Sequence, residues 1–317
     1  MIRLGAVYVL AGLLFAAIAV ASARDKTNPR RVRNAVFWGL LAVSFLFGRR
    51  LGDLGNGILV LALVAAGGIG RLGMGGGAAT TPEERRYSAT RYGNRLFLPA
   101  LVIPATALAG TLALKRIAIG GAPLIEAGQA TLISLALGVV IALSATMIWL
   151  RPPLGAPVQE GRRLLDSVGW AAILPQMLAA LGAVFALAGV GNEVGHLLTV
   201  HMPLDNRFVV VATYTVGMAL FTMVMGNGFA AFPVMTAAIG LPLLVHRFGG
   251  DPAIVSAIGM LSGFCGTLMT PMAANFNLVP VALLGIGDRN AVIRAQAPTA
   301  LALLGVNTVL MYLLAFR

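Results

Sequence analysis

Leu132-Ile-Ser-Leu-Ala-Leu-Gly-Val-Val-Ile-Ala-Leu-Ser-Ala-Thr-Met-Ile-Trp-Leu150 runs without a single charged side chain. Its length is close to the ~20 residues with which a helix crosses the hydrocarbon core of a bilayer. Ala297–Phe316 is a second block of the same kind. Outward from these two the pattern repeats, at about 4–22, Ala35–Phe47, Ile58–Ile69, Leu96–Leu114 and Trp170–Ala188, and in two long apolar regions, Phe208–Val245 and Ala253–Leu284. A membrane β-barrel needs short strands alternating apolar and polar residues, and unbroken blocks of this length do not alternate. The sequence predicts an all-α polytopic membrane protein of about nine or ten transmembrane segments.

Composition leads to the same class. Hydrophobic residues make up 58% of the 317 and charged residues 11%, with a mean hydropathy of +0.89. A soluble domain is nearer half apolar and a quarter charged. Too little polar surface is present to cover a body of this size in water, which excludes a cytosolic enzyme, a secreted domain and a disordered tail. The net charge of +12 and the pI near 11.3 would suit a nucleic-acid binder, but the basic residues sit in the loops between apolar blocks, where topology determinants belong. The loops 24–33, 71–95, 151–168 and 286–296 hold 15 of the 23 Lys and Arg. Placing them in the cytoplasm puts the N-terminus and the C-terminus outside. Residues 4–22 are followed at once by Arg24, Lys26, Arg30, Arg31 and Arg33. Such a cluster resists translocation, so this stretch is read as a retained first span and not a cleaved leader.

Three parts are expected: an N-terminal bundle over 1–150 with a cytoplasmic loop at 71–95, a connector at 151–168, and a C-terminal transport-type bundle over 169–317. In the connector, Val158, Leu164, Leu165 and Val168 oppose Glu160, Arg162, Arg163 and Asp166. That is the pattern of a short interfacial helix, or of a solvated loop.

Chemistry must be sought in a chain poor in reactive groups. No phosphate-cradling loop, metalloprotease helix or nucleophile elbow is present. The closest approach to a metal cluster is Glu193, His196, His201 and Asp205, but His196 and His201 are five apart and off a common helix face, so these are read as solvated loop residues. Cys265 has no histidine neighbour in sequence. No metal, no cofactor, no nucleic-acid partner and no enzymatic activity are expected.

The informative region is 208–284. Its two apolar stretches have no Asp, Glu, Lys or Arg outside the loop that joins them, yet each is interrupted. The first contains Gly226-Asn227-Gly228 and then Pro233; the second contains Gly263, Gly266, Thr267, Thr270-Pro271, Asn275 and Asn277. Glycine and proline weaken the helical hydrogen-bond ladder. An orphaned backbone group in hydrocarbon costs several kcal/mol, so such breaks persist only where protein or water satisfies them. Paired breaks are the pattern of discontinuous helices or a re-entrant hairpin in secondary transporters. The candidate site is Gly226, Asn227, Gly228, Thr267, Thr270, Pro271, Asn275 and Asn277: half-helix N-termini suit an anion, and unwound carbonyls suit Na⁺. The competing reading is packing, since small and polar residues also build helix interfaces and the seam from Gly259 to Gly263 needs no ligand. The lack of an acidic residue at depth weakens proton coupling and favours Na⁺.

The runs Met225-Gly-Asn-Gly-Phe-Ala-Ala-Phe-Pro-Val-Met-Thr-Ala-Ala-Ile-Gly-Leu-Pro242 and Gly263-Phe-Cys-Gly-Thr-Leu-Met-Thr-Pro-Met-Ala-Ala-Asn-Phe-Asn-Leu-Val-Pro280, with Arg24-Asp-Lys-Thr-Asn-Pro29 and Phe37-Trp-Gly-Leu, resemble a bacterial membrane-protein family long without a known function. The resemblance covers essentially the whole chain. It implies one of two membrane subunits of a 5-oxoproline (pyroglutamate) transporter in the bacterial inner membrane, working with a second membrane subunit or a further copy. The paired breaks are also similar to those of carboxylate carriers of the ion-transporter superfamily, whose hairpin tips have Ser-Asn-Thr where this chain has Gly226-Asn227-Gly228. The expected function is therefore a permease subunit moving a small organic carboxylate with Na⁺ or H⁺ as coupling ion. The alternative is a structural or regulatory subunit whose partner holds the site.

Overall fold

A computed structural model describes residues 2–68, 72–73, 81–113, 117–119, 122–201, 205–284 and 286–316. The chain forms two compact units, Met1–Gly169 and Trp170–Arg317, so the 151–168 segment belongs to the first unit. The protein is an all-α polytopic membrane protein. Among the described residues eight helices are long and apolar enough to cross a bilayer, and the extended structure in named strands is a two-residue antiparallel ladder, β1 (Ala118–Ile119) with β2 (Ala122–Pro123).

The first unit holds α1 (Leu4–Arg24), α2 (Arg31–Gly68), α3 (Pro82–Tyr92), α4 (Leu98–Leu112), α5 (Ala130–Leu150) and α6 (Ala156–Val168). Helix α2 contains the short span predicted at 35–47 and, as far as residue 68, the one predicted at 58–69, whose last residue lies outside the described residues. It bends at Gly52, whose φ of 62° and ψ of −176° no helix accommodates, and Ala66 then lines a cavity with Val32 and Val36, so the second leg returns beside the first. An aromatic row joins α1 to α2: Phe15 stacks on Trp38 and Phe45, and Tyr8 meets Phe45 edge-on. Helices α4 and α5 pair where Gly138 lets the Ile103 backbone approach and the Thr111 and Thr131 hydroxyls meet at 3.1 Å. The outer face of α5 displays Leu132, Leu135, Val139, Leu143 and Ile148, a band that fits acyl chains and would be a large apolar patch in water.

Two ends of this unit can be distinguished. At one, Asn28 and Asn34 donate their amides to the Gly73 carbonyl at 2.9 and 2.7 Å, and Arg162 of α6 pairs with Asp25. At the other, Ile2 N–H donates to the Leu124 carbonyl and Leu4 N–H to Glu126. The loops 24–33 and 151–168 therefore share one end of α1, with residues 72–73 beside them.

The second unit holds α7 (Leu174–Leu187), α8 (Val190–His201), α9 (Arg207–Met225), α10 (Gly228–Met235) continuing into a π-helix (Thr236–Arg247), α11 (Pro252–Leu268), α12 (Ala274–Leu284) and α13 (Ala291–Leu314). Buried Val210, Val211, Tyr214, Met218, Met235, Ile239, Leu244, Val255 and Met311 form its core. The π-helix ends at a tight corner, where Asp251 caps α11 through Ala253 and Ile254 and its own N–H reaches the Ala315 carbonyl. Glycines set the closest approaches: Gly182 and Gly195 meet the Ala230 and Ala238 backbones, and Gly240 and Gly259 flank the Tyr214 ring.

Candidate functional site

Both predicted interruptions are real, and they lie against each other. Helix α9 stops at Met225 because Gly226 turns left-handed (φ 76°), its N–H closing back on the Thr222 carbonyl at 2.7 Å. Asn227 is extended, and its side-chain oxygen accepts from Phe229 N–H at 2.7 Å as the N-cap of α10. Met235 then packs on Gly217, and Thr236 meets the Tyr214 hydroxyl at 3.2 Å. The leg formed by α10 and the π-helix thus runs back along α9, and Gly226-Asn227 is the tip of a helical hairpin.

Helix α11 runs beside α9 in the same direction, Gly259 at Tyr214 and Gly263 at Met218 and Thr222. It ends at Leu268, and the chain is non-helical until α12 begins at Ala274. Thr270 donates its hydroxyl to the Met223 carbonyl at 2.9 Å and accepts from Met272 N–H. Asn277 donates to the Thr267 and Thr270 carbonyls at 2.8 and 2.7 Å. A methyl on Gly226 would fall 2.6 Å from the Met272 carbonyl oxygen. The hairpin tip therefore rests directly on the second break.

The depth of this junction follows from α13. Ala300 and Leu304 pack with Cys265, Leu268 and Met269, so residues 291–299 extend α13 beyond the break by about 13 Å at 1.5 Å per residue. The junction is set well inside the length of a spanning helix.

Of the predicted residues, Gly226, Asn227, Gly228, Thr267, Thr270 and Asn277 are buried together here. Asn275 is half-buried in the first turn of α12, and Pro271 is exposed. Main-chain groups at the breaks are bound chiefly by the protein's own side chains, Asn227, Thr270 and Asn277. Two buried oxygens have no hydrogen-bond partner, Asn277 Oδ1 and Thr222 Oγ1. Buried polar atoms are satisfied in the great majority of cases, so these two oxygens are the exceptions at the junction.

Thr222 was not singled out from the sequence, nor were Thr215 and Thr308, whose hydroxyls meet at 2.8 Å between α9 and α13, nor Asn307, whose amide points at Cys265 Sγ from 3.7 Å. Polar residues lying in spans were the available signal, but facing partners come from distant helices. A cavity of about 640 Å³ lies along α9, away from most of these atoms. Its lining, including Phe208, Val216, Leu220 and Val224, offers a carboxylate almost no donors. Among the described residues no group of three or more His, Cys, Asp or Glu is placed to hold a metal ion; Asp205 instead pairs with Arg247 at 2.7 Å.

These features define a polytopic helical membrane protein with two helix interruptions packed on each other in its second unit. The sequence matches the family described as protein of unknown function DUF979 over residues 5–316, and the chain belongs to that family. No curated protein and no solved structure matches it.

Proposed function

We propose that this chain is a permease subunit of the bacterial inner membrane, with its N-terminus outside, that moves a small organic carboxylate by ion-coupled alternating access together with a second membrane subunit or another copy of itself. The observation that supports this reading is the contact between the Gly226-Asn227 tip and the break at 269–273. Non-helical backbone at membrane depth, held within protein, is the arrangement from which transporters build binding sites. The cargo class rests on the first turn of α10, whose N–H groups favour an anion, and on the absence of any fixed charge among the candidate residues. The resemblance of the two long runs makes 5-oxoproline the first cargo to try, with Na⁺ or H⁺ as the coupling ion.

A second reading is favoured by the bonding at the breaks. Asn227, Thr270 and Asn277 already bind the main chain there, which is what a rigid structural or regulatory subunit would also need. One experiment separates the two. Cells with this chain and its partner subunit take up labelled pyroglutamate, and the paired variants Asn227→Ala and Asn275→Ala lose uptake while remaining in the membrane. Uptake that persists when this chain is deleted would transfer the site to the partner. No uptake with both subunits present would remove 5-oxoproline as cargo.

A further inference from the structure

Outside the candidate site, the first unit buries a carboxylate that no step above uses. Helix α6 brings Val158 onto the same face as Arg162 and Asp166, four residues apart, and not opposite them as the sequence pattern suggests; Asp166 on that face is turned inward, not to water. The Asp166 side chain is 1% exposed. Its Oδ1 accepts from the Trp38 indole N–H at 2.8 Å. Its Oδ2 accepts no hydrogen bond and lies 3.7 Å from Arg162 Nη1, beyond hydrogen-bond length. Arg162 gives its guanidinium to Asp25, whose other oxygen is held by the Thr27 N–H and hydroxyl at 3.0 and 2.6 Å.

The charges do not balance. Two carboxylates share one guanidinium, which sits on Asp25. An ionised carboxylate this deeply buried is tolerated only when fully paired and hydrogen-bonded, and Asp166 is only partly so: Trp38 and Asn34 hold it, while Oδ2 has no close partner. The charged and titratable groups facing it are Arg162 from its own helix and Asp25 from the α1–α2 turn; Trp38 and Asn34 of α2 are its neutral neighbours. Arg24 lines the same cavity of about 370 Å³ as Asp25 and Arg162.

We propose that Asp166 is a proton-binding site whose occupancy sets how firmly α6 is held against α1 and α2. Uptake of one proton turns the carboxylate into a neutral carboxyl, breaks no bond, and leaves Asp25 and Arg162 as a balanced pair. Loss of that proton leaves one buried negative charge without a full partner, which is relieved when α6 lifts and water reaches Oδ2. The proposal does not depend on the permease reading, since every group in it lies in the first unit.

The indole that touches Asp166 reports on it. In the full chain with Trp149→Phe and Trp170→Phe, Trp38 is the sole tryptophan. Its emission, followed from about pH 4 to about pH 9, is expected to show one transition with a midpoint above the ordinary aspartate range. Asp166→Asn, which keeps an oxygen for the indole, abolishes the transition. Asp25→Asn frees Arg162 for Asp166 and lowers the midpoint by about one pH unit or more. A wild-type titration that is flat over this range, or a transition that survives in Asp166→Asn, overturns the proposal. If Asp166→Asn fails to fold, the wild-type midpoint still decides: a value at or below the ordinary carboxylate range is fatal to it.

Discussion

Asn277 shows how one side chain can hold a helix break shut. Both donors of its amide are used on the carbonyls of Thr267 and Thr270, with the side chain fully buried. Aspartate has nearly the same shape and no donors. Asn277→Asp should therefore strand two buried carbonyls, at about 1–3 kcal/mol each, and add a buried charge. The expected outcome is a clear loss of thermal stability in detergent, larger than for Asn275→Asp at a half-buried position. Equal stability of the two variants would show that the bonds to residues 267 and 270 do not hold the break. Asp25 gives a prediction in pH. Its carboxyl is held below the ordinary range, first by the Thr27 hydroxyl and with help from Thr27 N–H and Arg162. A depressed carboxyl contributes stability above its unfolded pKa and loses it as pH falls through the folded one. Asp25→Asn should lower stability at neutral pH and flatten the loss on acidification.

At the scale of elements, glycine decides where helices end and how closely they pass. Gly226 and Gly249 both sit at positive φ, 76° and 70°. A methyl on Gly249 meets nothing within 4 Å, whereas one on Gly226 strikes the Met272 carbonyl. Gly249→Ala should cost about 1 kcal/mol for the left-handed backbone alone, and Gly226→Ala distinctly more, because the hairpin tip must also move off the second break. Denaturation of the two variants side by side checks this, and equal losses would mean that the tip contact is loose. The seam between α9 and α11 gives a paired test. Gly259→Ala places a methyl 2.5 Å from the Tyr214 hydroxyl oxygen, an overpacking of about 1–3 kcal/mol. Tyr214→Phe removes that oxygen, and the double variant should regain part of the loss in a double-mutant cycle.

For the first unit as a whole, loops 24–33 and 151–168 are joined at one end of α1 and the ladder region lies at the other. With Cys265→Ser as background, Lys26→Cys and Gln159→Cys should react with a membrane-impermeant thiol reagent from the same side, and Gly128→Cys from the opposite side. Labelling of residues 26 and 159 from different sides would contradict the Asp25–Arg162 contact in the membrane. The charge count places 24–33 and 151–168 on one side as well, because translocation of Lys and Arg is what the membrane resists.

Class, span positions and the sites of interruption were legible in the chain because hydrocarbon tolerates only satisfied backbone, and glycine, proline and asparagine announce where satisfaction changes hands. The sequence likewise marked Gly226, Asn227, Thr270 and Asn277 as residues of one kind. It did not show that α9 and α11 run in the same direction and bring both breaks to one level, since that depends on packing between helices far apart in sequence. Nor did it show Asp166 as buried. The connector read as an interfacial helix or a solvated loop, in either case with its charges in water, and only the approach of Trp38, 128 residues away, turned Asp166 inward. Local pattern fixes which groups must be satisfied; the fold alone decides which partner satisfies them and which oxygen is left without one.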